Sequence, residues 1–383
     1  MSKKHYDYII IGSGLAGLMM AYRILNDSFF ADKTVLILDK DEKLNNDRTW
    51  CFWDKNNPDW EPIISKKWSK IGFKGADFYA EISLNPYTYN KIEGLTFYNF
   101  CREKLNASAQ FTFKTETFSH FEEQAKAVEV FTDRDVYTAS KVLTSILPAE
   151  RLKNQKHSQV LQQHFIGWVI KAKKPVFDPE MATFMDFSIP QKGNTRFMYV
   201  LPTSTTEALV EYTLFSEKLL ADSDYENAIK DYLKNLGVAQ YEITATEKGA
   251  IPMTAYPFEL HNTNRIIHIG TAGGWTRAST GFTFKYTEKI TRELTKFLKK
   301  DQDFRTFKTR DRFRWYDRLF LDVLYRRNDL GGEIFSIMFK KNKIENILRF
   351  LDGESTIPEE LKIIWSLPKK QFMVALFKEG SKG

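Results

Sequence analysis

The hydrophobic pattern of the opening forty residues alternates between two periods. Residues 8–11 are an apolar run with three consecutive isoleucines, the composition of a strand buried on both faces of a parallel sheet. Behind it Leu15, Leu18, Met19, Tyr22 and Leu25 recur at helical spacing. A second apolar run, 34–38, follows, so a strand–helix–strand unit is predicted. Further on, 77–95 reads as short strands and turns and 98–105 as a helix. Residues 111–113, 127–131 and 141–147 read as strands, the last returning to the opening unit. Residues 160–215 are strand-rich. Within them 165–172 alternates, 184–187 follows, and 196–201 and 208–215 flank the turn residues 202–206 as a hairpin. Period two puts Leu209, Glu211, Thr213 and Phe215 on one face. Glu211 is therefore an acid among apolar neighbours. If that face is covered, desolvation keeps its proton in place near neutrality; on a solvated edge it is an ordinary glutamate.

Residues 221–236 form an amphipathic helix closed by Gly237, and 247–253 follow a strand. The buried run 265–269 leads into a glycine-rich loop, 270–282, with a helix behind it carrying Ile290, Leu294, Phe297 and Leu298 on one face. Beyond Asp301 the pattern is helical. Phe313, Tyr316, Phe320 and Leu324 make one stripe and Ile344, Ile347, Leu348 and Leu351 another, ended by Gly353. Pro358 opens a last helix with Glu359 and Glu360 in its first turn.

Between the first strand and helix stands Gly12-Ser13-Gly14-Leu15-Ala16-Gly17. Gly12 permits the tight turn, Gly14 lets backbone approach a pyrophosphate, and Gly17 lets helix and strand pack closely. The helix N-terminus, with Leu15 and Ala16, presents free N–H groups to that pyrophosphate. The second strand delivers Asp39, beside Lys40, where a ribose would be held. An acid there favours an unphosphorylated ribose, hence FAD or NAD over NADP, and the early position of the unit favours FAD. The second glycine loop, with Gly270, Thr271 and Gly281, offers a second set of backbone donors to the same nucleotide. Arg48, in Asp47-Arg48-Thr49-Trp50-Cys51-Phe52-Trp53, is placed to meet a phosphate or a flavin carbonyl, with Trp50 and Trp53 as pocket walls or loop packing.

Composition narrows the partners. With 31 Phe, 17 Tyr and 8 Trp among 383 residues, the chain is rich enough in aromatics to suit a long, flat, apolar ligand. Two cysteines, Cys51 and Cys101, and an apparent lack of a signal segment suggest a reducing cytoplasm. The six histidines, His5, His120, His157, His164, His261 and His268, show no metal-ligand spacing. No run reaches the ~18 to 20 apolar residues of a membrane span. The net charge of +7 is concentrated in residues 285–383, where 23 Lys and Arg stand against 15 Asp and Glu. Such a region suits a solvated face or an anionic membrane surface. No nucleic-acid motif accompanies it.

The ordered set GSGLAG with Asp39, DRTWCFW, MDF at 185–187, RFMYVLP, LVEYT, EKGAIP and GTAGGWTRASTGFTF resembles the bacterial lycopene β-cyclases over residues 6–284, and the basic helical tail is similar too. The resemblance implies an α/β fold: a Rossmann-type FAD-binding domain (1–160 and 255–300, with excursions near 45–95), an inserted β-rich substrate domain (161–254) and a helical C-terminal region (301–383). It implies cyclisation of lycopene, through γ-carotene, to β-carotene by an isomerisation without net redox change, and a catalytic carboxylate at Glu211. Related chains often carry a second acid directly after this glutamate; here Tyr212 stands there, which leaves Asp186 and Glu247 as candidates. Thr271 replaces an Asp common in the second glycine motif of flavoprotein hydroxylases.

For such a substrate the only chemical handle is the terminal C1=C2 bond, which a dry acid must protonate. Glu211 is the expected acid. Reduced flavin, with NAD(P)H as reductant, and Trp50, Trp53, Trp275 and Phe282 are expected to stabilise the cation. A redox flavoenzyme of the same fold, a geranylgeranyl reductase or an aromatic hydroxylase, is the alternative; an isoprenoid-binding flavoprotein without catalysis is a third. Peripheral attachment to the inner membrane from the cytoplasmic side is expected.

Overall fold

A computed structural model of the chain describes residues 3–155, 158–309 and 312–380; His157 lies outside them. The opening unit forms as its pattern predicts: strand β1 (His5–Ile11), helix α1 (Leu15–Leu25) and strand β2 (Val35–Asp39). Gly12 adopts a φ of +102°, and a Cβ there would stand 1.9 Å from the Ser145 hydroxyl oxygen, so only glycine fits the turn. β1 and β2 are parallel, and β8 (Phe111–Thr115), β11 (Val136–Thr144) and β17 (Ile266–His268) extend the parallel set. β9 (Phe118–Glu123) and β10 (Val128–Thr132) add an antiparallel edge. The order is β8-β2-β1-β11-β10-β9, with β17 beside the C-terminal half of β11.

Apolar side chains leave this sheet on both faces, which is why its strands read as continuous hydrophobic runs. Tyr8, Ile10 and Ile37 join α1, α2 (Gly94–Asn106) and α5 (Phe284–Leu298) in one core; Ile9, Ile11, Leu36 and Leu38 meet Val128, Val130 and Tyr137 in the other. α3 (Ala149–Lys153) follows β11.

The second sheet is built from β12 (Leu161–Ala172), β13 (Met181–Asp186), β14 (Arg196–Pro202), β15 (Glu207–Ser216) and β16 (Tyr241–Met253). Its order is β16-β12-β15-β14-β13-β5-β6. β5 (Lys70–Lys74) and β6 (Tyr79–Ser83) come from the excursion near 45–95, so part of that excursion completes the second sheet. Residues 247–253, read as following a strand, lie inside the thirteen residues of β16. One face is covered by α4 (Asp222–Asn235) through Tyr225, Ile229, Tyr232 and Leu233. A small antiparallel sheet, β3 (Thr49–Asp54), β7 (Thr88–Glu93) and β4 (Lys66–Trp68), faces the other side and bridges the cores: Phe52 enters the first and Trp53 the second.

The C-terminal helices are part of this second core. α6 (Arg312–Arg326), α7 (Gly331–Lys341), α8 (Ile344–Leu351) and α9 (Ile357–Ser366) insert Leu321, Leu324, Phe335, Phe339, Ile347 and Ile363 against the sheet. Phe339 stacks on Phe73 of β5 at 4.3 Å. The helix that Pro358 opens ends at Ser366, before Pro368, and α10 (Lys369–Gly380) is a further helix packed on α6 through Ala375.

Candidate active site

A cavity of roughly 410 Å³ runs from the first glycine loop to the face of the second sheet opposite α4. Its lining begins at Gly14 and Leu15, passes Arg48, Thr271 and Gly281, and ends among Phe184, Met185, Phe197, Leu209, Phe215 and Phe335. Across the sheet wall, strand register sets four residues in one row: Glu247 of β16, Gly167 of β12, Glu211 of β15 and Tyr199 of β14. Neighbouring strands lie ~4.8 Å apart, so β16 and β15 are separated by about twice that. Gly167 has no side chain to fill the gap, and the two carboxyls are hydrogen-bonded to one another across it.

Glu211 is 8% exposed. Burial pushes its carboxyl well above the ordinary glutamate range, the charge of Glu247 adds to the rise, and the Thr213 hydroxyl, donating to Oε1, opposes it. Glu247 is also raised by burial, but the Thr49 hydroxyl donates to it at 2.7 Å, Glu211 bonds it, and Lys91 and Arg48 favour its charge. Of the pair, Glu211 is pushed further toward its protonated form, and Glu247 has the neighbours that favour a charge. At the other end of the row the Tyr199 and Tyr89 hydroxyls are hydrogen-bonded beside Cys51. Burial pushes the Cys51 thiol up to about 12, so it is neutral and no nucleophile.

Gly14, Leu15, Arg48, Thr271 and Gly281 line the cavity, whereas Gly12, Ala16, Gly17 and Gly270 shape its loops from behind. A Cβ on Gly17 would lie 2.0 Å from the Gly12 carbonyl oxygen, and one on Gly270 3.1 Å from the Ala16 Cβ. A Cβ on Gly14 meets nothing within 4 Å, the open space a pyrophosphate requires. Asp39 is fixed at the tip of β2: Oδ2 accepts from the Ser13 backbone N–H at 2.6 Å and hydroxyl at 2.9 Å, Oδ1 from the Asp41 N–H at 3.0 Å. Lys40 is exposed at the strand end and does not line the cavity. Gln163, which sequence reasoning missed, lines the cavity with a buried Oε1 that has no partner, and Gly281 is pressed against it. The open space at Gly14 and the unpartnered Gln163 Oε1 in the same cavity fit a dinucleotide held along these loops.

Asp186 faces away. Its Oδ1 accepts from the Ser188 backbone N–H and hydroxyl and its Oδ2 from the Tyr232 hydroxyl of α4 at 3.0 Å, while Lys74 lies 3.8 Å off. Strict alternation from Phe184 would bring Asp186 into the cavity. The irregular register between Thr183 and Asp186 breaks that alternation and turns the acid to the α4 face. Tyr212 also points there, accepting from Arg196 at 2.9 Å, so an acid directly after Glu211 would not reach the cavity. Of the aromatics, Trp50 and Phe282 line the cavity. Trp53 is buried behind it, its indole N–H donating to Asp352 at 2.6 Å, and Trp275 is buried in the first core. The hairpin could have revealed Tyr199: its turn at 203–206 pairs residues summing to 410, which sets 199 opposite 211.

Among the described residues no three His, Cys, Asp or Glu side chains gather as a metal site, and no helix is long and apolar enough to cross a membrane. In overall fold the chain is similar to a flavin-dependent brominase, with a TM-score of 0.66, 12% identity, and coverage of 99% of this chain and 100% of the other. By sequence it is similar to the lycopene beta-cyclase of Pantoea ananas, 21% identical over 400 residues with 97% of each chain covered. The lycopene beta-cyclase of Paracoccus sp. (strain N81106 / MBIC 01143) is 22% identical over 295 residues, covering 74% of this chain and 72% of its own. The family model described as lycopene cyclase protein matches residues 7–377, and the chain belongs to the lycopene cyclase family.

Proposed function

We propose that this chain is a lycopene β-cyclase, an intramolecular lyase that closes the linear ψ-ends of lycopene, through γ-carotene, into the β-rings of β-carotene. The observation that carries the reading is the buried Glu211 carboxyl, raised by burial and by Glu247, in an apolar cavity continuous with the first glycine loop. Family membership and the two curated relatives support it.

The hydrocarbon offers no heteroatom, so shape and dispersion must orient it. Phe184, Phe197, Leu209, Phe215 and Phe335 supply that wall and exclude water. Glu211 donates its proton to C2 of the terminal C1=C2 bond and leaves a tertiary cation at C1. The C5=C6 electrons attack C1, forming the C1–C6 bond and moving the cation to C5. Loss of the C6 proton to the Glu211–Glu247 pair restores the double bond and the acid. One proton enters and one leaves, so no oxidant or reductant is consumed. A carboxylate at Glu247 would favour the cation, and Trp50 and Phe282 line the cavity in which it would form. FAD would be held by the backbone of Gly14 and Leu15, on a loop that Gly12, Ala16 and Gly17 shape from behind, by Asp39 at its ribose, and by Arg48, Thr271 and Gly281. When bound and reduced, with NAD(P)H as reductant, it would supply electron density beside the cation.

A substrate this apolar is delivered from lipid, and we place the protein peripherally on the cytoplasmic face of the inner membrane. Of eighteen large apolar side chains exposed among the described residues, seven lie in 357–377: Ile357, Leu361 and Trp365 at four-residue spacing on α9, then Met373, Val374, Leu376 and Phe377 on α10. Lys369 covers the Trp365 ring at 4.6 Å. Apolar side chains beside lysines suit an anionic bilayer.

The test is pigment analysis of lycopene-accumulating cells expressing the chain. Conversion to ring-bearing products is expected, and Glu211→Gln should abolish it with flavin still bound. A product reduced or hydroxylated in proportion to NAD(P)H consumed would replace the reading by a redox one.

A further inference from the structure

Two glutamates 36 positions apart in sequence come together only because of what lies between them. β15 and β16 are not neighbours; β12 runs between them, and the residue of β12 facing both acids is Gly167. On this face β12 otherwise presents side chains: Gln163 and Phe165 both line the cavity. A Cβ on Gly167 would stand 2.9 Å from Leu209 Cδ1 and 3.3 and 3.4 Å from Glu211 Cβ and Cγ. The site is closed to even one methyl unless the Leu209 or Glu211 stem gives way. Gly167 is extended, with no positive φ and no turn. A glycine inside a strand costs roughly 0.5–1 kcal/mol relative to alanine, and neither the backbone nor the ladder here asks for one. What the position requires is empty space beside Glu211.

We infer that Gly167 is a positioning residue for the reaction: its missing side chain is the gap through which the Glu211 and Glu247 carboxyls meet, and it makes them one proton-holding unit. This rests on the reading of Glu211 as the proton donor. A lone buried carboxyl would hold its proton by desolvation alone. The pair adds the repulsion of a fixed neighbouring charge, and a carboxylate that can take up the C6 proton and pass it back. Glu247 in turn is held by Thr49, so the unit spans three strands of two sheets.

The experiment is an infrared titration of the flavin-loaded protein, following the carbonyl stretch of the protonated carboxyl that disappears in Glu211→Gln. In the native protein the band is expected to persist well above pH 7. Gly167→Ala should lower its midpoint by roughly one pH unit or more, with flavin content unchanged. Glu247→Gln should lower it similarly, and the two changes together should shift it no further than either alone, since both remove one interaction. In parallel, the alkaline limb of the activity profile should move to lower pH in both single variants. Should Gly167→Ala fail to fold, Gly167→Ala with Leu209→Ala relieves the 2.9 Å contact and is compared with Leu209→Ala alone. An unmoved midpoint, or shifts that add, overturns the inference. A native protein that shows the coupled titration yet leaves lycopene uncyclised would retain the gap and reject the cyclase reading instead.

Discussion

Tyr199 stands directly across the β14–β15 ladder from Glu211, and its hydroxyl is hydrogen-bonded to that of Tyr89. Burial holds both phenols well above their usual range, so this end of the row is a neutral pair, a support for the acid rather than a second one. Tyr199→Phe removes that bond and leaves a buried hydroxyl on Tyr89. A stability loss of about 1–3 kcal/mol in denaturant melts is expected, with cyclisation within roughly tenfold of native. Complete loss of product at full flavin content would transfer the donor role from Glu211 to the tyrosine.

The two loop glycines at 14 and 17 should fail differently. A methyl on Gly17 would collide with the Gly12 carbonyl at 2.0 Å, while one on Gly14 meets nothing of the protein. Gly17→Ala is therefore expected to destabilise the fold by about 1–3 kcal/mol, the cost of overpacking. Gly14→Ala should keep the circular dichroism and melting of the flavin-free protein but lose flavin absorbance after purification. Native flavin content in Gly14→Ala would remove the pyrophosphate from that space.

Glu211 makes stability depend on pH with a definite sign. Its folded pKa lies well above the unfolded glutamate value of about 4.3, so between the two the folded state binds the extra proton and stability falls as pH rises, by up to about 1.4 kcal/mol per unit. Glu211→Gln removes that penalty. Its Tm should exceed the native one by a margin that grows from pH 5 to pH 8. A margin independent of pH would mean that the carboxyl is ionised in the fold.

The outward face of α9 and α10 is expected to set membrane affinity. Trp365→Ala with Phe377→Ala should weaken sedimentation with phosphatidylglycerol-containing vesicles several-fold. Product formation from detergent-dispersed lycopene should be retained. Equal vesicle binding by variant and native protein would place the contact elsewhere.

Local chemistry made much of this molecule legible. Apolar runs, helical stripes and glycines that only certain turns demand determined the β1–α1–β2 unit, the β14–β15 hairpin and the first glycine loop, because each depends on residues close together in the chain. The period of β15 likewise identified Glu211 as an acid on an apolar face. Tertiary structure alone decided which second acid joins it. That choice rests on β16 pairing with β12, on the irregularity that turns Asp186 toward Tyr232, and on an empty position at Gly167. Strand order and register arise from global packing, so no single segment encodes which side chains will meet across a sheet.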